Sequence, residues 1–425
     1  MNETLTIAVV AGCVLAFSLI SKRIQRTIIT APMVFVAFGL LLSENFLGIV
    51  PTTINPEFVN LVAELTLVLV LFTDASRIDL SLLRRDRNYN LPVRMLVIGL
   101  PLTILAGAAV ALIIFGDLEL WEAFVLATIL APTDAALAQA VISLPGVPAR
   151  IRQSLNVESG LNDGLALPIL LLFVSLASSA EAQPVGDWIE FAALQLIMGP
   201  LVGIIVGYVG GRALRWVQRR EWVSEAFEGL GALSLALLGF AAAELVGGNG
   251  FVAAFFAGVV FGNVARNVCS MIYGFAESEG QLLTLITFLI FGAVLVPEIF
   301  GHVDLPMIGF AVLSLTLIRM IPVALSLWGT GLMRDTVVFL GWFGPRGVAS
   351  ILYGLLVLEE SDLPHGETLL VAMIVTVLIS VFAHGITAVP GVTLYVNRLE
   401  EMDEDELEEM AEMREVPEMP TRISM

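Results

Sequence analysis

Apolar runs of membrane-spanning length recur along the whole chain, and no other feature restricts its fold as strongly. A helix needs about 20 apolar residues to cross a bilayer. We place thirteen such runs, at residues 5–20, 28–42, 58–72, 91–115, 121–141, 155–177, 191–208, 227–246, 251–262, 282–296, 305–327, 337–358 and 369–389. Since 57% of the 425 residues are hydrophobic and 14% are charged, the sequence predicts an all-α polytopic membrane protein.

Positive residues test this count, because they collect in the loops on the cytoplasmic side of a membrane. Every Lys and Arg outside the runs follows an odd-numbered run: Lys22, Arg23, Arg26, Arg77, Arg84, Arg85, Arg87, Arg150, Arg152, Arg212, Arg215, Arg219, Arg220, Arg266, Arg334, Arg398, Arg414 and Arg422. We therefore expect thirteen transmembrane helices in the cell (plasma or inner) membrane, with the N-terminus outside and the C-terminus cytoplasmic.

The C-terminal segment is strongly acidic. From Glu400 onward it has eleven acidic residues against Arg414 and Arg422, which gives −9 of the net charge of −19. Such a composition is typical of a solvated, partly helical appendage, and we expect residues 397–425 to form an acidic cytoplasmic tail.

Ionisable residues also occur inside the runs, where they are costly and indicate function. The acids that we expect to be buried are Glu64, Asp134, Glu158, Asp163 and Glu244, with Asp74 at the end of the third helix, and the two deepest bases are Arg319 and Arg346. Both arginines need anionic or carbonyl partners. Glu64 and Glu244 are most simply interpreted as packing or cavity groups.

The start of the sixth run, "ESGLND", sorts its polar residues onto two neighbouring helix faces, because residues four apart lie on the same side. Ser159 and Asp163 share one face and offer the hard oxygen ligands that suit a small cation. Glu158 and Asn162 share the next face, where the carboxylate can pair with an arginine and hold the helix.

Two runs carry interruptions in equivalent places. Pro132 breaks the fifth run just before Thr133 and Asp134, and Gly344, Pro345 and Gly347 break the twelfth. Paired interruptions of this kind are typical of transporters built from inverted repeats, in which broken helices line the substrate site. We predict two inverted six-helix repeats, runs one to six and eight to thirteen, with crossed broken helices and the seventh run as their link.

Five segments together resemble a known family. They are "LFTDASRIDL" at 71–80, "TDA" at 133–135, "ESGLND" at 158–163, "IRMIPVAL" around Arg319 and "FGPRG" around Arg346. In order and spacing they resemble the monovalent cation/proton antiporters of the Na⁺/H⁺ exchanger type, in the electroneutral branch with an Asn-Asp pair. One departure is that the family often has proline after Thr-Asp, whereas here Ala135 follows and Pro132 precedes.

The resemblance implies a homodimer in which a core domain moves against a dimerisation domain. The core would comprise residues 89–177 and 305–396, and the dimerisation domain residues 1–76 and 226–297, with 188–220 as the linker helix.

The resemblance also implies roles for single residues. Asp163 would bind Na⁺ and H⁺ in turn, Thr133 and Ser159 would be further ligands of Na⁺, and Asp134, Asn162 and Asp74 would complete the ion site. Glu158 and Arg319 would form a structural ion pair, and Arg346 would lie in the second broken helix. Asp134 could instead serve only the broken backbone, and Asn162 only the bracing of its helix.

A carboxylate that holds either a proton or a cation, but not both, predicts electroneutral 1:1 exchange of Na⁺ (or Li⁺) for H⁺. A K⁺/H⁺ antiporter of the same fold is the alternative. An intramembrane aspartyl protease using Asp134 and Asp163 is disfavoured, since "GLN" and not Gly-x-Gly precedes Asp163. A passive cation channel is a third class. We expect no enzyme activity, cofactor, nucleic-acid partner or structural metal site, with His302, His365 and His384 in or near loops.

Overall fold

The structure is a computed structural model, and every regular element in its described residues is helical. It describes residues 3–24, 27–50, 56–85, 90–134, 137–138, 141, 146–178, 185–266, 280–360, 363–402, 410–414, 416 and 419. Arg26, Arg87, Ala135 and Arg422, which entered the sequence argument, lie outside these ranges.

Fifteen helices follow one another in the described chain. They are α1 (Glu3–Ile24), α2 (Ala31–Leu42), α3 (Pro56–Ser76), α4 (Leu80–Arg85), α5 (Asn90–Ile114), α6 (Leu120–Ile129), α7 (Ala149–Ser178), α8 (Val185–Gln218), α9 (Glu225–Leu245), α10 (Gly250–Val264), α11 (Gly280–Glu298), α12 (Leu305–Ser326), α13 (Arg334–Trp342), α14 (Val348–Glu360) and α15 (Gly366–Glu400). π-helical turns at Met95–Gly99 and Phe291–Leu295 widen α5 and α11.

Local signals start several of these helices. The Asn249 side chain accepts a hydrogen bond of 3.0 Å from Val252 N at the start of α10, and Asp304 accepts one of 3.0 Å from Met307 N at the start of α12. Such caps satisfy amide groups that the first helical turn leaves without partners.

Each of the thirteen predicted runs overlaps a helix, the twelfth overlaps α13 and α14, and the fifth has α6 before its break and helical residues 137–138 after it. Seven helical segments in the described chain are long and apolar enough to cross a membrane: α5, α7, Ile197–Gln218 of α8, Phe227–Leu245 of α9, α11, α12 and α15. The all-α polytopic class is confirmed. The number thirteen stays a prediction, because several of the remaining helices are short.

The two predicted interruptions are present. Helix α6 ends at Ile129, ahead of Pro132, and residues 130–134 are not helical. In the second half, residues 343–347 separate α13 from α14. The two non-helical segments meet directly, because Asp134 N donates to the carbonyl oxygen of Pro345 at 2.8 Å.

Glycines bring α3, α7 and α10 close together. A Cβ atom at Gly258 or Gly262 of α10 would overlap the backbone of α3, at Phe72 and Ser76 respectively. On α7, a Cβ atom at Gly164 would overlap the ring of Phe255 from α10. These contacts match the use of small residues where membrane helices pack closely.

The C-terminal segment corrects our expectation of a solvated tail. Ala411, Glu412 and Met419 are buried, and Glu412 Oε1 accepts a hydrogen bond of 2.7 Å from Met333 N. The Gln153 side chain exchanges two hydrogen bonds with the backbone of Met419, at 3.3 and 3.1 Å. The expectation of a solvated segment is therefore wrong for Ala411, Glu412 and Met419, which pack on the helical bundle, whereas Met413 and Arg414 are exposed.

Candidate functional site

The site begins where the two broken helices cross, and Asp134 holds one side of the crossing. Its Oδ2 accepts a hydrogen bond of 2.6 Å from Val348 N, the first amide of α14, and its Oδ1 accepts one of 3.2 Å from Leu137 N. A carboxylate at helix N-termini satisfies free amides and interacts favourably with the helix dipoles. Asp134 therefore caps the helical segments that follow both breaks.

Arg346 holds the other side of the crossing. Its Nη1 donates to the carbonyl oxygens of Ala131 and Pro132, the latter at 2.9 Å. These carbonyls follow the end of α6, where no further helical turn supplies amide partners. Each half of the chain thus supplies the side chain that satisfies the broken backbone of the other half.

The glycines around Arg346 are required by the crossing. A Cβ atom at Gly344 would lie 2.6 Å from Arg319 Nε, and one at Gly347 would overlap the Asp134 carboxylate. Real Cβ atoms do not approach so closely, so the "GPRG" segment leaves room for two charged side chains.

Helix α7 reaches the first break through two side chains. Ser159 Oγ donates to the carbonyl oxygen of Thr133 at 2.7 Å, and Asn162 Nδ2 donates to Thr133 Oγ1 at 2.7 Å. The other amide atom, Asn162 Oδ1, is buried and has no hydrogen-bond donor among the described residues. A buried oxygen of this kind is costly unless a ligand or water contacts it.

Glu158 and Arg319 form a buried ion pair beside this contact. Arg319 Nη1 lies 2.7 Å from Glu158 Oε1, and the two side chains are 1% and 3% exposed. Thr133 Oγ1 also lies 3.4 Å from Glu158 Oε2. Thr133, Glu158, Ser159, Asn162 and Arg319 thus form one connected set, whereas Asp134 and Arg346 belong to the crossing itself.

Asp163 lies halfway along α7 and is buried, with 8% of its surface exposed. Its backbone carbonyl accepts a hydrogen bond of 2.6 Å from the Tyr353 hydroxyl of α14. Asp74 of α3 is also buried, and its carbonyl oxygen lies 3.7 Å from the position of a Cβ at Gly160, one helical turn before Asp163. Asp74 and Gly160 therefore lie at an α3–α7 contact, three residues along α7 from Asp163.

Sequence reasoning missed four neutral residues at the site. Ser350 Oγ donates to Ile129 O at 2.8 Å, and Tyr353 contacts Asp163 as described. Ser380 Oγ accepts a hydrogen bond of 2.6 Å from Arg346 N, and His384 Nε2 lies 2.9 Å from Trp342 O. A signal was available, since Thr376, Ser380 and His384 are four residues apart and share one helix face.

His384 corrects a second expectation. It is buried inside α15 and is not near a loop, because α15 extends without interruption from Gly366 to Glu400. His365 does precede the first residue of α15, and His302 lies in the turn between α11 and α12.

Glu64 lies on α3 and Glu244 on α9. Together with residues of α10 and α14 they line a cavity of about 300 Å³. Glu244 Oε1 also accepts a hydrogen bond of 2.7 Å from Gly250 N, which fixes the turn between α9 and α10. Their positions agree with the interpretation as packing or cavity groups.

Two antiporters from other organisms are similar to this sequence over part of their length. The chain is 28% identical to the K⁺/H⁺ antiporter NhaP of Alkalimonas amylolytica over 342 residues. This aligned region is 80% of this chain and 57% of that protein. It is 31% identical over 262 residues to Na⁺/H⁺ antiporter 2 of Zygosaccharomyces rouxii, which covers 56% of this chain and 31% of that protein. The chain thus spans little more than half the length of the first relative and less than a third of the second.

A solved structure shares the fold. The sodium proton antiporter MjNhaP1 of Methanocaldococcus jannaschii, at pH 8, superposes with a TM-score of 0.75 at 20% identity, covering 93% of this chain and 99% of that one. The model of the family described as "Sodium/hydrogen exchanger, transmembrane" matches residues 7–393. The chain belongs to the transmembrane sodium/hydrogen exchanger family.

Proposed function

We propose that this chain is a secondary active transporter that exchanges Na⁺ or Li⁺ for H⁺ by alternating access, with Asp163 as the shared binding group. The observation that carries the proposal is that two consecutive residues of α7 are buried, a carboxylate, Asp163, and an amide, Asn162, whose Oδ1 lacks a hydrogen-bond donor in the described chain. Carboxylate and amide oxygens are suitable ligands for a hard cation.

Exchange follows from competition at this carboxylate. A bound proton neutralises Asp163 and removes the charge that attracts a cation, whereas a bound cation disfavours protonation. Ser159, Thr133 and Asp74 would supply further oxygens. Binding of one ion thus requires release of the other, and the gradient of either ion drives movement of the second.

We infer an electroneutral 1:1 stoichiometry. Asn162 is neutral, so the Asn-Asp pair contributes one titrating group. Asp134 accepts two backbone N–H bonds at the crossing, and we assign it a structural role and not that of a second transporting group. One proton then exchanges for one monovalent cation, and no net charge crosses the membrane.

The proposed movement takes place between a core domain and the dimerisation domain of a homodimer. The core comprises residues 89–177 and 305–396, and the dimerisation domain comprises residues 1–76 and 226–297. Residues 188–220 link them, and the N-terminus lies outside the cell membrane. The packing supports this division, because α3 and α10 contact one another backbone to backbone at Gly258 and Gly262.

A K⁺/H⁺ exchange is the second candidate, and the name of the Alkalimonas relative favours it. The two candidates share every residue role above and differ in the spacing of the oxygens around the cation. A protease is not supported, since the family consists of exchangers.

The test is a transport assay on the purified protein in liposomes that contain a pH-sensitive dye. After a pH gradient is imposed, addition of the transported cation should collapse the gradient at a rate that does not depend on membrane potential. We expect Asp163→Asn to slow this collapse at least about 100-fold, because the carboxylate common to both ions is lost. Na⁺, Li⁺ and K⁺ are compared at equal concentration to decide between the two candidates.

Asp304→Asn is the matched control, because Asp304 caps α12 and asparagine caps a helix equally well. It should exchange at the natural rate. Full activity of Asp163→Asn would refute the role of Asp163, and cation currents without proton movement would indicate a channel.

A further inference from the structure

Tyr353 connects the second half of the chain to the proposed ion-binding residue. It has no exposed surface, and its hydroxyl donates a hydrogen bond of 2.6 Å to the backbone carbonyl of Asp163. Buried phenols usually find a hydrogen-bond partner. The phenol donates to the backbone of Asp163 and not to its carboxylate. The contact therefore fixes the position of Asp163 without using the carboxylate oxygens that would bind an ion.

A second side chain on the same face of α14 makes a parallel contact. Ser350 precedes Tyr353 by three residues, and residues at this spacing lie on one side of a helix. Its Oγ donates to the carbonyl oxygen of Ile129 at 2.8 Å, where α6 ends. One face of α14 therefore bonds both to the end of α6 and to α7.

These are the two segments that carry the proposed cation ligands. Thr133 follows the end of α6, and Ser159, Asn162 and Asp163 lie on α7. Helix α14 is itself fixed at its first residue, because Val348 N donates to Asp134 at 2.6 Å. A helix from the other half of the chain thus bonds to both segments, in addition to the direct bonds that Ser159 and Asn162 make to Thr133.

The spacing between ligands decides which cation a site prefers. Ions of equal charge are distinguished by cavity size, ligand number and the rigidity of the site. A bond that holds the Asp163 backbone in place restricts the size of the cation that fits between α6 and α7. Loss of this bond leaves the carboxylate able to bind a proton or a cation but relaxes the spacing.

We propose that Tyr353 is a positioning residue that determines cation selectivity, by tying the backbone of Asp163 to α14. The inference rests on the proposed function of Asp163 as the ion-binding group. It assigns selectivity to a neutral residue of the second repeat that contributes no charge to the site.

The experiment compares Tyr353→Phe with Tyr395→Phe. Tyr395 of α15 is also buried, and its hydroxyl lies 2.9 Å from Thr336 Oγ1, so both substitutions delete one buried, hydrogen-bonded phenol oxygen. Apparent KM values for Na⁺, Li⁺ and K⁺, together with Vmax, are measured in the liposome assay. The ratio of two KM values does not depend on how much protein has folded.

Selectivity is expressed as the highest KM among the three cations divided by the lowest. We expect Tyr353→Phe to reduce this ratio about fivefold, the factor that corresponds to one ordinary hydrogen bond. Vmax with the best cation should stay within about twofold of the natural value, since the reacting carboxylate is untouched. Tyr395→Phe should leave the ratio unchanged. Ser350→Ala removes the bond between the same face of α14 and the end of α6, and it should also reduce the ratio. This second variant tests the inference if Tyr353→Phe does not fold.

The inference is overturned if Tyr353→Phe and Ser350→Ala both keep the natural ratio, or if Tyr395→Phe shifts it equally. A different failure would concern the proposed function: the natural protein would not exchange cations, or Asp163→Asn would remain active. Natural exchange, an inactive Asp163→Asn and an unchanged ratio in Tyr353→Phe would reject the positioning role alone.

Discussion

Helices α7 and α15 each close one of the two predicted repeats, and both brace a broken neighbour with neutral side chains. On α7, Ser159 and Asn162 hold Thr133 in the first break. On α15, Ser380 accepts a hydrogen bond from Arg346 N in the second break, and His384 lies 2.9 Å from Trp342 O at its start.

The two helices differ in charge. The face of α7 that meets its break also carries Glu158 and Asp163, whereas the corresponding face of α15 carries Thr376, Ser380 and His384 and no carboxylate. Bracing of a broken helix and binding of an ion are therefore separable tasks. Both halves brace, and we propose that only the first half binds.

Removal of the Glu158 carboxylate, which has no counterpart on α15, should give the largest loss of stability. Glu158→Gln leaves Arg319 buried without its anion, and we expect a loss of about 3–5 kcal/mol. Thermal unfolding in detergent measures it. The double variant Glu158→Gln, Arg319→Met should recover most of the loss, because no buried charge is left unpaired. Equal melting temperatures for the single and double variants would contradict this account.

Filling the crossing point should give an intermediate effect. The added methyl group of Gly347→Ala would overlap the Asp134 carboxylate, and we expect a loss of about 1–3 kcal/mol from overpacking. Gly309→Ala is the control, since no atom lies within 4 Å of its Cβ position inside α12. It should be neutral or slightly stabilising. A melting temperature of Gly347→Ala equal to that of the control would show that the crossing can relax.

The same small substitution in both repeats tests the comparison most directly. Ser159→Ala and Ser380→Ala each remove one hydrogen bond to a break, and each should cost about 1 kcal/mol of stability. Only Ser159→Ala should also raise the apparent KM for the cation, by roughly fivefold, in the liposome assay. An equal rise in Ser380→Ala would mean that bracing and binding are not separable.

Charges and helix breakers made much of this architecture predictable. Ionised groups and prolines are expensive inside a membrane, so Glu158, Asp163, Pro132 and Arg346 stand out in apolar sequence. The fold class followed from the apolar runs, and the two interruptions followed from Pro132 and from Gly344, Pro345 and Gly347. The ion pair of Glu158 with Arg319 across the two halves was implied by the family resemblance and not by spacing.

Neutral contacts were less visible. Ser350, Tyr353 and Ser380 are inconspicuous in apolar runs, because a hydroxyl can bond to its own helix and needs no distant partner. Which of them reaches another helix depends on packing that periodicity does not report. The docking of the C-terminal segment was missed for a related reason, since composition describes its charge but not the hydrogen bonds between Gln153 and Met419.

The glycine contacts of α10 also determine where the bundle is stiff. At Gly258 and Gly262 the backbone of α10 packs against the backbone of α3. The α3 backbone cannot move away from α10 at these points unless its helix is disrupted. At Gly164 the obstacle to α7 is the ring of Phe255, and a ring can turn. We therefore expect helices α3 and α10 to move together as one rigid unit. At the Gly164 contact, in contrast, α7 can shift along α10 when the Phe255 ring rotates.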